Sequence, residues 1–480
     1  MKSERRWIAV ALLLTAFFCA CYALAALGVG AGSYGLWRTA FGPNPATLSP
    51  TRPDSPTQPV TSEPSPTPAG RATATPLSPN ATVDPAIQAQ MEEIQDQVVE
   101  LRGLAPDRPV SRDLITPGEL RQRLVNDILK EYDESEAAAD ARLLALLGLL
   151  PADFALRDLY LELYSEQVAG FFDSETQEMV VVQEATFGGV ERATYAHEYD
   201  HVLQDQHYQL RDGLGLDEQA CEQDSERCTA IQALVEGDAT LLQLQWLRIY
   251  ATEQDRQEIA AASDPSRSLV FATAPEFLKD GLLFPYTYGL IFVQTLYREG
   301  GWAAVDAAFA DPPRSTEQIL HPERYPTDLP VALETPDLLP SLGAGWEELD
   351  RGVLGEWTLR WMLREVLPIG EANNAAEGWG GDVVLAFHHA VDDRDALIVI
   401  MSWDSIREAQ DFAAAFLAYG TARFGDPTVT DAGATWEGGP GYSVFERVSD
   451  QTLWILAPDA ATAQAMRSVV PFPVAEVSGE

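Results

Sequence analysis

Lysine is nearly absent from this 480-residue chain: Lys2, Lys130 and Lys279 are the only three. Arginine does not make up the deficit, since 32 basic residues face 73 acidic ones and the formal charge is −41. A surface of that sign repels nucleic acid and anionic headgroups alike, so no nucleic-acid partner is expected. Histidine is scarce as well, at six, and cysteine scarcer, at four. Any histidine pair at a meaningful spacing therefore stands out. Charge of either sign is missing from Trp7 to Gly32, and apolar periodicity is missing from residues 39 to 84. What remains is 46% hydrophobic, a globular content, on a chain long enough for two or three domains.

The charge-free stretch follows Lys2, Arg5 and Arg6 and runs for 26 residues. That exceeds the ~20 needed to cross a bilayer and the apolar core of a cleaved signal. We read residues 1–38 as an uncleaved, single-pass membrane anchor with its basic flank in the cytoplasm and the rest of the chain outside. Cleavage or lipidation at Cys21 is the alternative, although Phe18 fits poorly at the third position before a lipidated cysteine. Residues 39–84, rich in Pro, Thr and Ser, read as an extended linker that holds a domain away from the membrane.

The organising stretch is Ala193 to Tyr208, ATYAHEYDHVLQDQHY. His197 and His201 lie four apart, so on a helix they project from one side and can close on one ion. Glu198 follows the first directly, placed to take a proton from a metal-activated water. Neutral imidazole suits Zn²⁺, whose catalytic sites use three protein ligands and leave one place open. The bland reading, two unrelated histidines beside a solvated glutamate, is hard to reconcile with so few histidines. A third ligand is expected from the next long helix, Ala230 to Tyr250, where Glu236 and Asp238 interrupt an apolar run. A carboxylate there is costly unless paired or bound to metal. Glu236 is the preferred ligand, ahead of Asp238, and Gly237 lets this helix come close.

Around this centre, the spacing from Ile87 to Leu101 predicts an amphipathic helix, and Thr116-Pro117 predicts a capped helix start. Two more helical stretches, Ala137–Leu147 and Asp153–Glu166, complete a helical lead-in. Val168 to Val182 changes period and predicts a β-hairpin about Asp173–Thr176, whose edge can take an extended peptide by β-addition or merely cover the helix. Cys221 and Cys228 are expected to form a structural disulfide outside the cytoplasm. On one continuous helix they would stand ~10 Å apart, so the chain must turn between them.

The segments GFFDSETQEMVVV, HEYDHVLQDQH and ALVEGDAT together resemble the gluzincin class of zinc metallopeptidases, most of all the anchored or secreted H-E-x-x-H surface proteins of bacteria and archaea. The likeness is good from Val168 to Tyr250 and looser to Tyr325. It implies a small zincin core with His197, His201 and Glu236 as zinc ligands and Glu198 as general base. Gluzincins often carry an aspartate four residues after the ligand glutamate to orient the first histidine. Thr240 stands there instead, leaving Asp205 or Asp238 for that part. For the oxyanion donor a peptidase needs, Tyr286, Tyr288 and His321 are candidates by residue type. Phe284-Pro285-Tyr286 reads as a helix start.

Beyond a Pro-rich stretch and a helix at Leu354–Leu367, strands at Val383–Phe387, Leu397–Met401, Tyr442–Glu446 and Thr452–Ala457, with helices at Ser405–Phe424 and Ala460–Val469, predict a small α+β unit. His388-His389 ends a strand, where neighbours point to opposite faces, and makes a poor metal site. The expected whole is α+β: residues 85–340 a mainly helical, zincin-like metallopeptidase domain, and 341–480 a helix plus α+β domain. Its expected activity is hydrolysis of a peptide or protein substrate outside the membrane, with Zn²⁺ as cofactor. The competing expectation is a surface binding or scaffold protein on the same fold, for which Glu198 would have no use.

Overall fold

The computed structural model describes residues 83–472 except 130–131, 184–185, 263–267 and 432. The expected anchor, and the linker up to residue 82, lie outside the described residues. Among the described residues no helix is long and apolar enough to cross a membrane. The fold is α+β, mainly helical, with a three-stranded sheet early in the chain and a seven-stranded antiparallel sheet late in it.

Helix α1 (Pro85–Arg102) starts where Asp84 accepts from the Ala86 amide at 2.7 Å and stops at Gly103, whose φ of 78° a side chain would resist. Met91, Ile94 and Val98 form its buried face, on the spacing the sequence predicts. Strand β1 (Ser111–Ile115) follows, then a helix whose N-cap Thr116 and Glu119 form a capping box. The lead-in helices are Glu134–Leu146 and Leu156–Gln167. The expected hairpin is present as β2 (Gly170–Asp173) and β3 (Glu178–Val182), with Asp173 Oδ1 accepting from the Glu175 and Thr176 amides in its turn. β1 joins β3 in parallel, so the hairpin belongs to a mixed sheet of order β1-β3-β2.

Helix α2 (Gly189–Tyr208) carries the H-E-x-x-H residues, and from Ala193 to Gln206 every residue on it is buried. A helix this polar is buried on all sides only if its polar groups are paired. It is enclosed by α1, by β2 and β3, by the helix Glu253–Ala262 and by α3 (Ser225–Ile249). α3 in turn crosses α4 (Glu276–Gly300) with backbones in contact: a Cβ on Gly237 would lie 2.3 Å from the Gly289 main chain. Pro285 lies inside α4 rather than at a helix start. The apolar burial of its neighbours Leu282, Phe284 and Tyr286 outweighs the ~3 kcal/mol that an interior proline costs a helix.

Cys221 and Cys228 are disulfide-bonded, with Cα atoms 5.5 Å apart. The required turn is at Asp224, which ends a short helix and caps α3 through its side chain.

The late region runs β4 (Trp346–Gly352), α5 (Gly355–Arg364), β5 (Trp379–His389), β6 (Arg394–Trp403), α6 (Ile406–Phe424), β7 (Thr428–Thr430), β8 (Gly433–Gly438), β9 (Gly441–Val448) and β10 (Gln451–Ala457). The sheet order is β4-β5-β6-β10-β9-β8-β7. α6 covers one face with Phe412, Phe416 and Tyr419 against Trp436, Phe445 and Trp454. The lead-in helix Glu134–Leu146 docks on this region too: Arg423 donates to the Ala145 and Leu146 carbonyls, and Arg142 pairs with Asp395 at 3.0 Å.

Candidate metal centre

α2 and α3 bring three buried side chains to one point. His197 Nε2 lies 3.1 Å from Glu236 Oε2 and 3.1 Å from His201 Nε2, and His201 Nε2 lies 3.4 Å from Glu236 Oε2. Helical spacing stacks the histidines one turn apart, and their rings meet edge to face at 4.7 Å. Glu236 comes from the facing helix. Atoms bound tetrahedrally to zinc at ~2.05 Å stand ~3.3 Å from one another, so the observed triangle is the size a zinc ion requires. The donor set of two imidazoles and one carboxylate fits the same ion.

The three groups are electrostatically linked. Burial disfavours charge on both histidines and lowers the pKa of His197. At His201 the Glu236 carboxylate outweighs burial and pushes the value up to about 10. Burial would raise Glu236, but the two histidines overcome it and hold the carboxylate ionised.

Glu198 is 1% exposed and sits under the edge strand β2. A Cβ on Gly170 would lie 2.6 Å from Thr194 Cγ2 and 3.2 Å from Glu198 Cγ, so the strand packs on α2 only because that residue is glycine. β2 pairs with β3 on one side and with no other strand among the described residues.

The support around the histidines differs from the sequence expectation. Asp238 does not join the triangle. It is held by Arg102 (Nε to Oδ1 3.1 Å) and accepts from Gln204 Nε2 at 3.0 Å. Gln204 Oε1 in turn stands 2.8 Å from His201 Nδ1. Asp238 thus acts on the second histidine through Gln204 and does not orient the first, which faces the main chain at Ala239. Asp205 turns the other way and accepts from Gln177 of the hairpin turn at 2.7 Å. The physical reason is helix geometry: Asp238 is two residues beyond Glu236 and points to another side of α3. Burial raises Asp238 despite Arg102, and raises Asp200 further because Asp238 is its neighbour. On Arg102 burial is outweighed by those acids and Asp306, so its charge is retained.

Of the three oxyanion-donor candidates, only Tyr286 is near the centre, its ring 6.2 Å from that of His197. Tyr288 packs on Phe284 at 5.0 Å, and His321 is tied to Glu356 at 3.1 Å and Arg360 at 3.0 Å. His388 and His389 pair with Asp395 and Asp392 instead of with each other. Sequence reasoning missed Gln204 and Arg102. Gln204 was within reach, three residues after His201 on the same helix. Arg102, 136 residues from Asp238, left no signal.

A second carboxylate group, Glu317, Asp328 and Asp404, is close enough for a metal. Arg324 already fills it, with its Nη1 3.6 Å from Asp328 and 3.2 Å from Asp404, and paired with Glu317 at 2.5 Å.

Residues 344–467 match a family model described as a domain of unknown function (DUF8575). No curated protein and no solved structure matches the chain.

Proposed function

We propose that this chain is a zinc metallopeptidase on a zincin-like core, held outside the membrane by its N-terminal segment. The observation that carries the reading is the meeting of His197, His201 and Glu236 within 3.1–3.4 Å, with Glu198 buried beside them under an edge strand. His197, His201 and Glu236 would hold the ion. When bound, zinc supplies Lewis acidity and a lowered pKa for water. Glu198 takes the proton of the attacking water and passes it to the leaving amine. β2 is an edge strand of the three-stranded sheet, and addition of an extended peptide there would favour a polypeptide substrate over a small ester or amide. Tyr286, whose ring lies 6.2 Å from that of His197, is the candidate donor to the oxyanion. The charge-free run Trp7–Gly32 supports anchorage, and the disulfide supports an oxidising location.

Glu198→Gln tests the reading. Glutamine keeps the shape and a hydrogen bond but cannot accept a proton, so zinc content should persist while kcat on cleaved peptides falls at least about a hundredfold. KM should move little. Equal hydrolysis by both proteins would remove Glu198 as the base. Zinc-loaded wild type that cleaves no peptide in a broad screen would favour the non-catalytic surface protein.

A further inference from the structure

A cavity of about 150 Å³ lies where three parts of the chain meet. Leu144 of the lead-in helix Glu134–Leu146, Leu282 of α4 and Trp357 of α5 each form part of its wall. Interiors pack to the density of organic crystals, so a space able to hold a benzene ring is uncommon and leaves its walls short of dispersion contacts. This wall is held in place and not free to collapse. The Trp357 and Trp361 indoles both donate to Asp280, at 2.9 Å and 2.7 Å, and Phe277 stacks on Trp357 at 5.0 Å. None of the wall residues belongs to the His197, His201 and Glu236 centre, so the cavity is a separate feature of the fold.

The wall has two characters. Apolar side chains make most of it, but α3 contributes Ser225, Thr229 and Gln232, at the spacings of four and three that share one helix face. The Thr229 hydroxyl donates to the Ser225 carbonyl at 2.9 Å, so toward a further partner its oxygen accepts. Among the described residues no lysine, arginine or histidine stands on the wall, so an anion finds no counter-charge there. Two carboxyls do line it, but burial pushes Glu226 up to about 8 and Asp140 well above the ordinary carboxylate range. Glu226 Oε1 is also taken by the Thr316 amide and hydroxyl, at 2.5 Å and 2.7 Å. A cation therefore finds no ionised partner at neutral pH. Such a wall suits an uncharged ring with one polar edge.

We propose that this cavity binds a small neutral molecule, a single aromatic or aliphatic ring bearing one hydrogen-bond donor, with the ring on the apolar wall and the donor on Thr229. Because the wall is assembled from the lead-in, α3, α4 and the late region, occupancy ties the late region to the rest of the fold. The inference stands apart from the metallopeptidase reading and needs neither zinc nor turnover.

Phenol, toluene, benzoate and benzylamine, titrated calorimetrically into the full chain at pH 7, test it. Phenol and toluene should bind with a Kd of about 0.1–1 mM, within the ceiling for ligands of about seven non-hydrogen atoms. Benzoate and benzylamine carry a charge and should bind at least about tenfold more weakly. Saturating phenol should raise the melting midpoint. Thr229→Val, nearly equal in volume, removes the acceptor. It should weaken phenol about 3- to 10-fold and leave toluene within about twofold. Thr229→Phe fills the cavity and should abolish binding of both rings; Leu144→Phe fills it from another wall and serves if Thr229→Phe does not fold. Comparing proteins that share the N-terminal segment cancels any uptake of toluene by that segment. Binding of neither ring overturns the proposal and leaves the cavity to water. Binding that neither filling variant reduces places the ligand elsewhere and overturns it too. Phenol affinity unchanged by Thr229→Val contradicts the donor contact, and benzoate or benzylamine bound as tightly as phenol contradicts the neutral class; either result overturns the assignment.

Discussion

The two halves of this molecule bury opposite kinds of residue. Around α2 and α3 the interior holds Arg102, His197, Glu198, Asp200, His201, Gln204, Glu236 and Asp238, all at most 3% exposed. Under α6 the interior is aromatic, with Phe416 stacked on Phe445 at 4.4 Å and edge-on to Trp454 at 5.2 Å. The aromatic core lowers its free energy by burial alone. The polar one relies on pairings such as Arg102 with Asp238 and His201 with Glu236, and desolvation means that such pairing at best roughly breaks even against apolar packing. A chain able to build the second kind of core and yet retaining the first has kept its buried charges for a reason other than stability. A metal centre with its supporting shell is such a reason.

The contrast can be broken by substitution on each side. Phe416→Ala should destabilise the late region by about 3–5 kcal/mol, seen as a lower melting midpoint, while zinc stoichiometry at low temperature stays unchanged. Loss of zinc in that variant would mean that the halves do not differ as described. Gln204→Ala should do the reverse. Removing the group that holds His201 Nδ1 should weaken zinc binding about 10- to 100-fold in a competition titration, with a small change in melting. An unchanged affinity would show that Gln204 is a bystander.

A smaller effect lies at the seam between the halves. Burial holds the Glu226 carboxyl protonated up to about 8, against 4.5 for an ordinary glutamate. The folded state thus binds a proton that the unfolded state releases, and this contribution to stability falls as pH rises from about 4.5 to about 8. Glu226→Gln keeps a neutral group against Thr316 and should flatten that fall. A pH–stability profile identical to wild type would place the titration elsewhere.

What was legible in the sequence follows the same divide. His197 and His201 were legible because helix geometry alone makes residues four apart neighbours, and Glu236 because a carboxylate stands out in an apolar helix. The main strands of the late sheet were legible by composition. The strands β1, β4, β7 and β8 were not, since SRDLI and WEELDRG carry charges that interrupt an apolar run, GATWEG is bounded by glycines and TVT is only three residues long. Neither was the pairing of Arg102 with Asp238, because nothing in a linear sequence links charges that only tertiary packing brings together. Pro285 misled for the opposite reason: a strong local signal for a helix start gave way to the burial of α4.

The most direct measurement is the zinc content of the purified chain and three variants. The account predicts one zinc per wild-type chain, none retained stoichiometrically by His201→Ala or Glu236→Ala, and zinc retained, though more weakly, by Asp238→Ala. Tight zinc in Glu236→Ala together with its loss in Asp238→Ala would contradict it, because the third ligand would then be the residue that the fold turns toward Arg102.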